Sequence, residues 1–140
     1  MPHIGKISLK IGELTTDQIS QIFSALPGEV VFIDENDVIQ FYTHKEKHLF
    51  NRSPEIIGTD VRKCHAESSY KTIDDMIAKF KSGEKDYAES WIQHEGKLIH
   101  IIYYAIRDEK GNYRGIMEWT QDINHARELK GEQKGLIYHP

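Results

Sequence analysis

Apolar positions along the 140-residue chain follow two kinds of spacing, and the switches between them mark out the elements. A short alternation, Ile7-Ser8-Leu9-Lys10-Ile11, reads either as a strand or as a linker. Thr15 and Gln18 then sit at capping-box spacing, and Ile19, Ile22, Phe23 and Leu26 follow at helical intervals until Pro27-Gly28. Val30 to Ile33 and Val38 to Tyr42 are strand-type runs joined by Asp34-Glu35-Asn36-Asp37, a pattern that predicts a β-hairpin. His44 to Phe50 is polar and reads as a short helix. Ser53-Pro54-Glu55 starts another, with Ser as N-cap and Pro at the first helical position, and Gly58 stops it. Ser68 or Ser69 is placed to cap a longer helix that carries Tyr70, Ile73, Ile77 and Phe80 on one face and ends before Gly83.

The last third is strand-like: Tyr87 to Gln93, Leu98 to Arg107 and Tyr113 to Ile123, with polar turns between them. Asn124 is placed to cap a final charged segment running to about Lys134. Three hairpin-linked strands form an antiparallel meander, and the first hairpin must join the same sheet to bury its apolar face. The expectation is therefore an α+β domain, with helices laid across one face of a five-stranded sheet and a cavity between the layers. Leu98 to Ile106 is apolar at nearly every position, so both sheet faces should be covered. The N-terminal helix or a second subunit is the expected cover for the outer one.

Composition narrows the function classes. At 16.3 kDa the chain fits one hydrophobic core, and a net charge of −4 with a pI near 6.0 gives no reason to expect a nucleic-acid or acidic-membrane surface. No apolar run approaches the roughly 18 residues of a membrane span. Met1 to Lys6 lacks the pattern of a secretory signal. A single cysteine, Cys64, cannot form an internal disulfide, which fits a reducing compartment. These features together predict a soluble cytoplasmic domain.

Several residues in this order resemble PAS domains. They are Leu26-Pro27 before the strand ending Phe32-Ile33-Asp34, Ile57-Gly58 followed by Cys64-His65, Arg107 to Gly111 in the last hairpin, and Gly115 with Gln121-Asp122-Ile123. Lys81-Ser82-Gly83, Ala88 to Ile92 and Glu118 to Asp122 resemble more narrowly the PAS domains found C-terminal to uncharacterised or hemerythrin-like domains in bacterial proteins. The resemblance implies an N-terminal extension at 1–14, the PAS domain at 15–124 and a charged C-terminal segment at 125–140. It also implies a sensory module that holds a small molecule, haem or flavin between helices and sheet, or that dimerises and relays a signal. Fold alone does not choose among these.

The residues test each option. Light-oxygen-voltage flavin domains carry a cysteine three residues after the glycine of the short helix and a glutamine on the last strand. Here Cys64 lies six residues after Gly58, and Thr120 takes the glutamine's place, so flavin is disfavoured. No histidine lies between Ser69 and Ser82, where a PAS haem finds its axial ligand. Haem is therefore left with His65, just before that helix, and His100 on a strand. Cys64 reads as a buried structural thiol rather than a nucleophile, because adjacency to His65 does not set a base against it. His44 and His48 have helical i, i+4 spacing but stand among charged residues, as on a solvated face rather than at a metal.

Glu118 is the most informative residue. Strand alternation sets it on one face with Ile116 and Thr120, which the resemblance makes the cavity face; a shift of one residue turns it outward. The expected ligand-binding set is Cys64, His65, Trp91, Tyr103, Glu118 and Thr120. No catalytic constellation is expected. The partners expected are a polar small molecule and either a second copy or a signalling protein. Since no kinase, cyclase or DNA-binding segment accompanies the domain, its output is expected through association.

Overall fold

The computed structural model describes residues 5–140. The reading of Met1 to Ile4 as free of a secretory signal therefore lies outside the described residues. The fold is α+β, with strands β1 (Lys6–Ser8) and β2 (Glu13–Thr15), helix α1 (Thr16–Ala25) and strands β3 (Glu29–Asp34) and β4 (Ile39–Tyr42). Helix α2 (Tyr70–Ser82) and strands β5 (Tyr87–His94), β6 (Lys97–Arg107) and β7 (Tyr113–Asp122) complete it. β1 and β2 pair as a small separate hairpin, so Ile7-Ser8 of the opening alternation are strand, while Leu9 to Ile11 lie in the connection to β2. The remaining five strands form one antiparallel sheet in the order β4-β3-β7-β6-β5.

Local chemistry sets the boundaries. The Thr15 hydroxyl accepts from the Gln18 amide at 3.0 Å, and the Gln18 side chain accepts from the Thr15 amide at 2.9 Å, the reciprocal capping box that starts α1. Asp34 turns the first hairpin by accepting from the amides of Asn36 and Val38, with Asp37 in the left-handed region at φ 65°. Glu95 (φ 50°) and Gly96 (φ 77°) form a two-residue turn with both φ angles positive, the geometry that matches the twist of a tight hairpin. Arg62 reaches Asp74 at 2.6 Å, Asp60 at 3.1 Å and Asp37 at 3.2 Å, tying the 3-10 turn Val61–Cys64 to α2 and to the first hairpin.

Three local expectations are corrected. His44 to Phe50 is not helical: Lys45 donates to the carbonyls of Ser24 and Leu26 at the end of α1, and the backbone of Leu49 is drawn to Glu29. These tertiary bonds replace the local ones a helix would make. Neither Ser68 nor Ser69 caps α2 with its side chain. A 3-10 turn, Glu67–Ser69, leads directly into the helix, so Ser69 already has near-helical angles where a capping side chain needs an extended backbone. Asn124 opens no long helix, because its side chain accepts from the Leu98 amide and donates to the Gly96 carbonyl, closing the end of the β5–β6 hairpin. Beyond it only Ala126–Glu128 forms a single 3-10 turn.

The core lies between the inward face of the sheet and α2. Val31, Ile33, Ile39, Val61, Ile73, Ile77, Phe80 and Ile116 are buried together there. On the outer face α1 covers the β4 side, where the Phe23 and Phe41 rings stand 4.9 Å apart. The opposite end of that face stays open, with Tyr87, Trp91 and Tyr104 exposed. No helix among the described residues is long and apolar enough to cross a membrane.

Gly115 marks where the sheet tolerates no side chain. Its φ is 142°, and a Cβ there would stand 2.2 Å from the Ile33 carbonyl oxygen of the paired strand. Gly115→Ala is expected to cost at least about 2 kcal/mol in urea unfolding. An unchanged midpoint would contradict this packing.

Candidate functional site

Strand pairing lines up the inward residues in rows. β7 runs between β3 and β6, so Glu118 stands opposite Val31 on one side and Tyr103 on the other. Directly opposed residues share a face. Since Val31 belongs to the core, Glu118 and Tyr103 face inward. The two alternatives for Glu118 are thereby resolved towards the cavity.

That cavity has a volume of about 420 Å³ and lies between sheet, α2 and the segments joining β4 to α2. Its walls are mainly aliphatic, from Val31, Ile33, Ile73, Ile77, Ile101 and Ile116 among others. Its polar residues are Asn51, Arg52, Cys64, His65, Tyr103 and Glu118. Arg52 donates to Glu118 at 3.3 Å, with both side chains largely buried, at 13% and 12% exposure. The Tyr103 hydroxyl also hydrogen-bonds Glu118; burial, followed by the negative charge of Glu118, pushes that phenol far above its usual pKa. The buried Nε of Arg52 has no partner among the described residues.

Arg52 reaches this position because its segment is anchored from below. Glu29, 3% exposed at the start of β3, binds the His48 ring Nδ1 and accepts from the Leu49 amide at 2.7 Å. Thr43, also buried, accepts from the Val30 amide at 3.1 Å through its hydroxyl. The segment from 46 to 52 and the hairpin residues His94 and Glu95 enclose a second hollow of about 400 Å³, which shares Phe50, Asn51 and Arg52 with the first. The rings of Phe50 and His94 stand 5.1 Å apart. Phe50, Asn51 and Arg52 thus form a wall common to the interior cavity and the outer hollow.

Four of the six residues expected from the sequence line the cavity: Cys64, His65, Tyr103 and Glu118. Thr120 shares their sheet face but is buried opposite Glu29 and Ile101, outside the lining. Trp91 is corrected outright. It pairs with His100 on the outer face and is 62% exposed, whereas Tyr103 pairs with Ala88. Cys64 is also corrected, since it is exposed at the end of its 3-10 turn rather than buried. Partial burial nonetheless raises its thiol pKa, the reverse of what an activated thiolate needs.

Among the histidines, His65 lies 3.0 Å through Nδ1 from the Val61 carbonyl oxygen, so Nδ1 carries the proton and in the neutral ring Nε2 is left as an acceptor. His100 is on the outer face, 2.6 Å from Glu89, and does not line the cavity. His44 and His48 share no helix, and His48 is occupied by Glu29. No group of three metal-binding side chains occurs among the described residues. Sequence reasoning missed Asn51, Arg52 and Glu29. The only signal was a carboxylate, Glu29, set immediately before an apolar strand, where its burial demanded partners.

The comparisons with known proteins follow the same lines. A family model described as PAS domain matches residues 19–124. A crystal structure of a C-terminal domain from Streptococcus mutans is similar at 28% identity and a TM-score of 0.85, covering 92% of this chain and 100% of that one. The PAS domain of a protein from Colwellia psychrerythraea is 20% identical, with a TM-score of 0.56 over 76% of this chain and 95% of that one. A sensory box sensor histidine kinase from Vibrio cholerae is 12% identical, with a TM-score of 0.52 over 74% and 87%. No curated protein matches.

Removing the Glu29 carboxylate should loosen the segment that carries Arg52. Glu29→Ala is expected to speed amide exchange across residues 44–53 by at least about tenfold while α2 stays protected. Uniform acceleration over the whole chain, or none anywhere, would contradict a local anchor.

Proposed function

Because the chain belongs to the PAS domain family, we propose that it is a sensory module that binds a small ligand between sheet and helices and signals through association. Domains of this family are typically sensory or signalling modules, and generally not catalytic. The observation that carries the reading is the composition of the cavity. Aliphatic walls suit an apolar body, while Arg52, Glu118, Tyr103 and His65 offer a few convergent polar groups, the combination that small-molecule sites use. Domain interiors ordinarily fill such space with side chains at near-crystalline density. The histidine on the lining, His65, keeps one nitrogen for the Val61 carbonyl, and no flavin-reactive cysteine spacing is present.

Native mass spectrometry of the purified full chain is the test. The expected result is a mass above that of the polypeptide which disappears on denaturation. Glu118→Gln should reduce that retained fraction by at least about fivefold when measured well below the variant's own, lowered thermal midpoint, where it is still folded. A variant that loses folding with no separate effect on retention would count against Glu118 as a ligand contact.

The association half of the proposal rests on the outer face. Tyr87 and Tyr104 are cross-strand partners with ring centroids 5.3 Å apart, and Trp91 is exposed on the same strand as Tyr87. Uncovered aromatic side chains on one sheet face mark an interaction surface, and we assign a second copy of the chain as its first candidate. Light scattering should show a dimer that Trp91→Glu weakens by at least about tenfold. A wild-type protein that stays monomeric at its solubility limit would overturn this assignment and leave the ligand reading intact.

A further inference from the structure

The ionisable residues lining the cavity are Arg52, Glu118, Tyr103, Cys64 and His65. Two of them are a matched pair, since the Arg52 guanidinium meets the Glu118 carboxylate at 3.3 Å with both side chains close to nine-tenths buried. Their charges cancel where the cavity is polar, and the rest of its wall is mainly aliphatic. A ligand that brought its own charge would place a third one in this space without a counter-ion. A carboxylate would face Glu118, and an ammonium would face Arg52.

The hydrogen-bonding capacity left over is of a different kind. Arg52 keeps a buried Nε–H with no partner among the described residues, a donor in search of an acceptor. His65 commits Nδ1 to the Val61 carbonyl, which leaves Nε2 of the neutral ring as an acceptor. Asn51 adds a side-chain amide that both donates and accepts. One free donor, one free acceptor and one amide match a neutral group carrying an acceptor oxygen beside an N–H or O–H.

Resting on the reading of the cavity as a ligand site, we infer that its occupant is an uncharged amphipathic molecule. It has an aliphatic body and a primary amide or similar neutral hydrogen-bonding head, which meets Arg52 and His65. The Arg52–Glu118 pair is then the specificity element, and it works by rejecting charged relatives of the same shape.

A matched series tests this on the 140-residue chain at pH 8. Octanamide, octanoate and octylammonium share one body and differ in the charge of the head. Ligand-observed NMR and calorimetry should show octanamide binding at least about tenfold more tightly than either charged analogue. Glu118→Gln, which keeps the shape and leaves the Arg52 charge uncompensated, should reverse the order so that octanoate binds best. Octanoate or octylammonium binding the wild type as tightly as octanamide would overturn the inference and leave the cavity a ligand site. If none of the three bound, both the inference and the reading beneath it would fall.

Discussion

A carboxylate in the middle of a sheet's inward face must be paired, and most of this molecule's functional architecture follows from how Glu118 is paired. Stripping water from an isolated carboxylate costs several kcal/mol even after relaxation. The sheet itself supplies only the Tyr103 hydroxyl, directly across from it on β6. The positive charge has to come from elsewhere. It comes from Arg52, in a segment with no regular structure of its own.

That segment is in turn held by a second buried carboxylate. Glu29 stands at the start of β3, opposite Thr120, and binds the His48 ring and the Leu49 amide. Lys45 fastens the same stretch to the end of α1. Strand register, the Glu29 anchor and the Arg52–Glu118 pair therefore form one dependent series. The cavity is where the series ends, because residues 50–52 form its wall instead of leaving it open.

The sheet, its antiparallel order and the apolar stripe of α2 were legible in the sequence because period-2 and helical spacing report burial directly. The Thr15–Gln18 capping box was legible because its two bonds are local. Glu118 was half legible: alternation grouped it with Ile116 and Thr120, but only pairing with Val31 and Tyr103 shows which way that group faces. Trp91 shows how parity is misread across a turn. With Glu95 and Gly96 as the turn residues, His94 opposes Lys97, and counting outward sets Trp91 against His100 and Ala88 against Tyr103. The spacing and the turn residues His94 to Lys97 are both in the sequence, so this pairing was legible, and Trp91 and Tyr103 were set on one face against it. Residues 44–52 were illegible for a deeper reason. Their conformation is set by bonds to Ser24, Leu26 and Glu29, about twenty positions away, and such bonds leave no periodic trace.

The central claim is that Arg52 and Glu118 hold each other inside the cavity. A double-mutant cycle with Arg52→Gln and Glu118→Gln measures it most directly, by urea unfolding of the wild type, both single variants and the double variant. The pair predicts a coupling energy of at least about 1.5 kcal/mol, because each single variant strands one buried charge and the double variant strands neither. Strictly additive losses would mean that the two side chains do not meet in the folded protein, and the account of the site would be wrong.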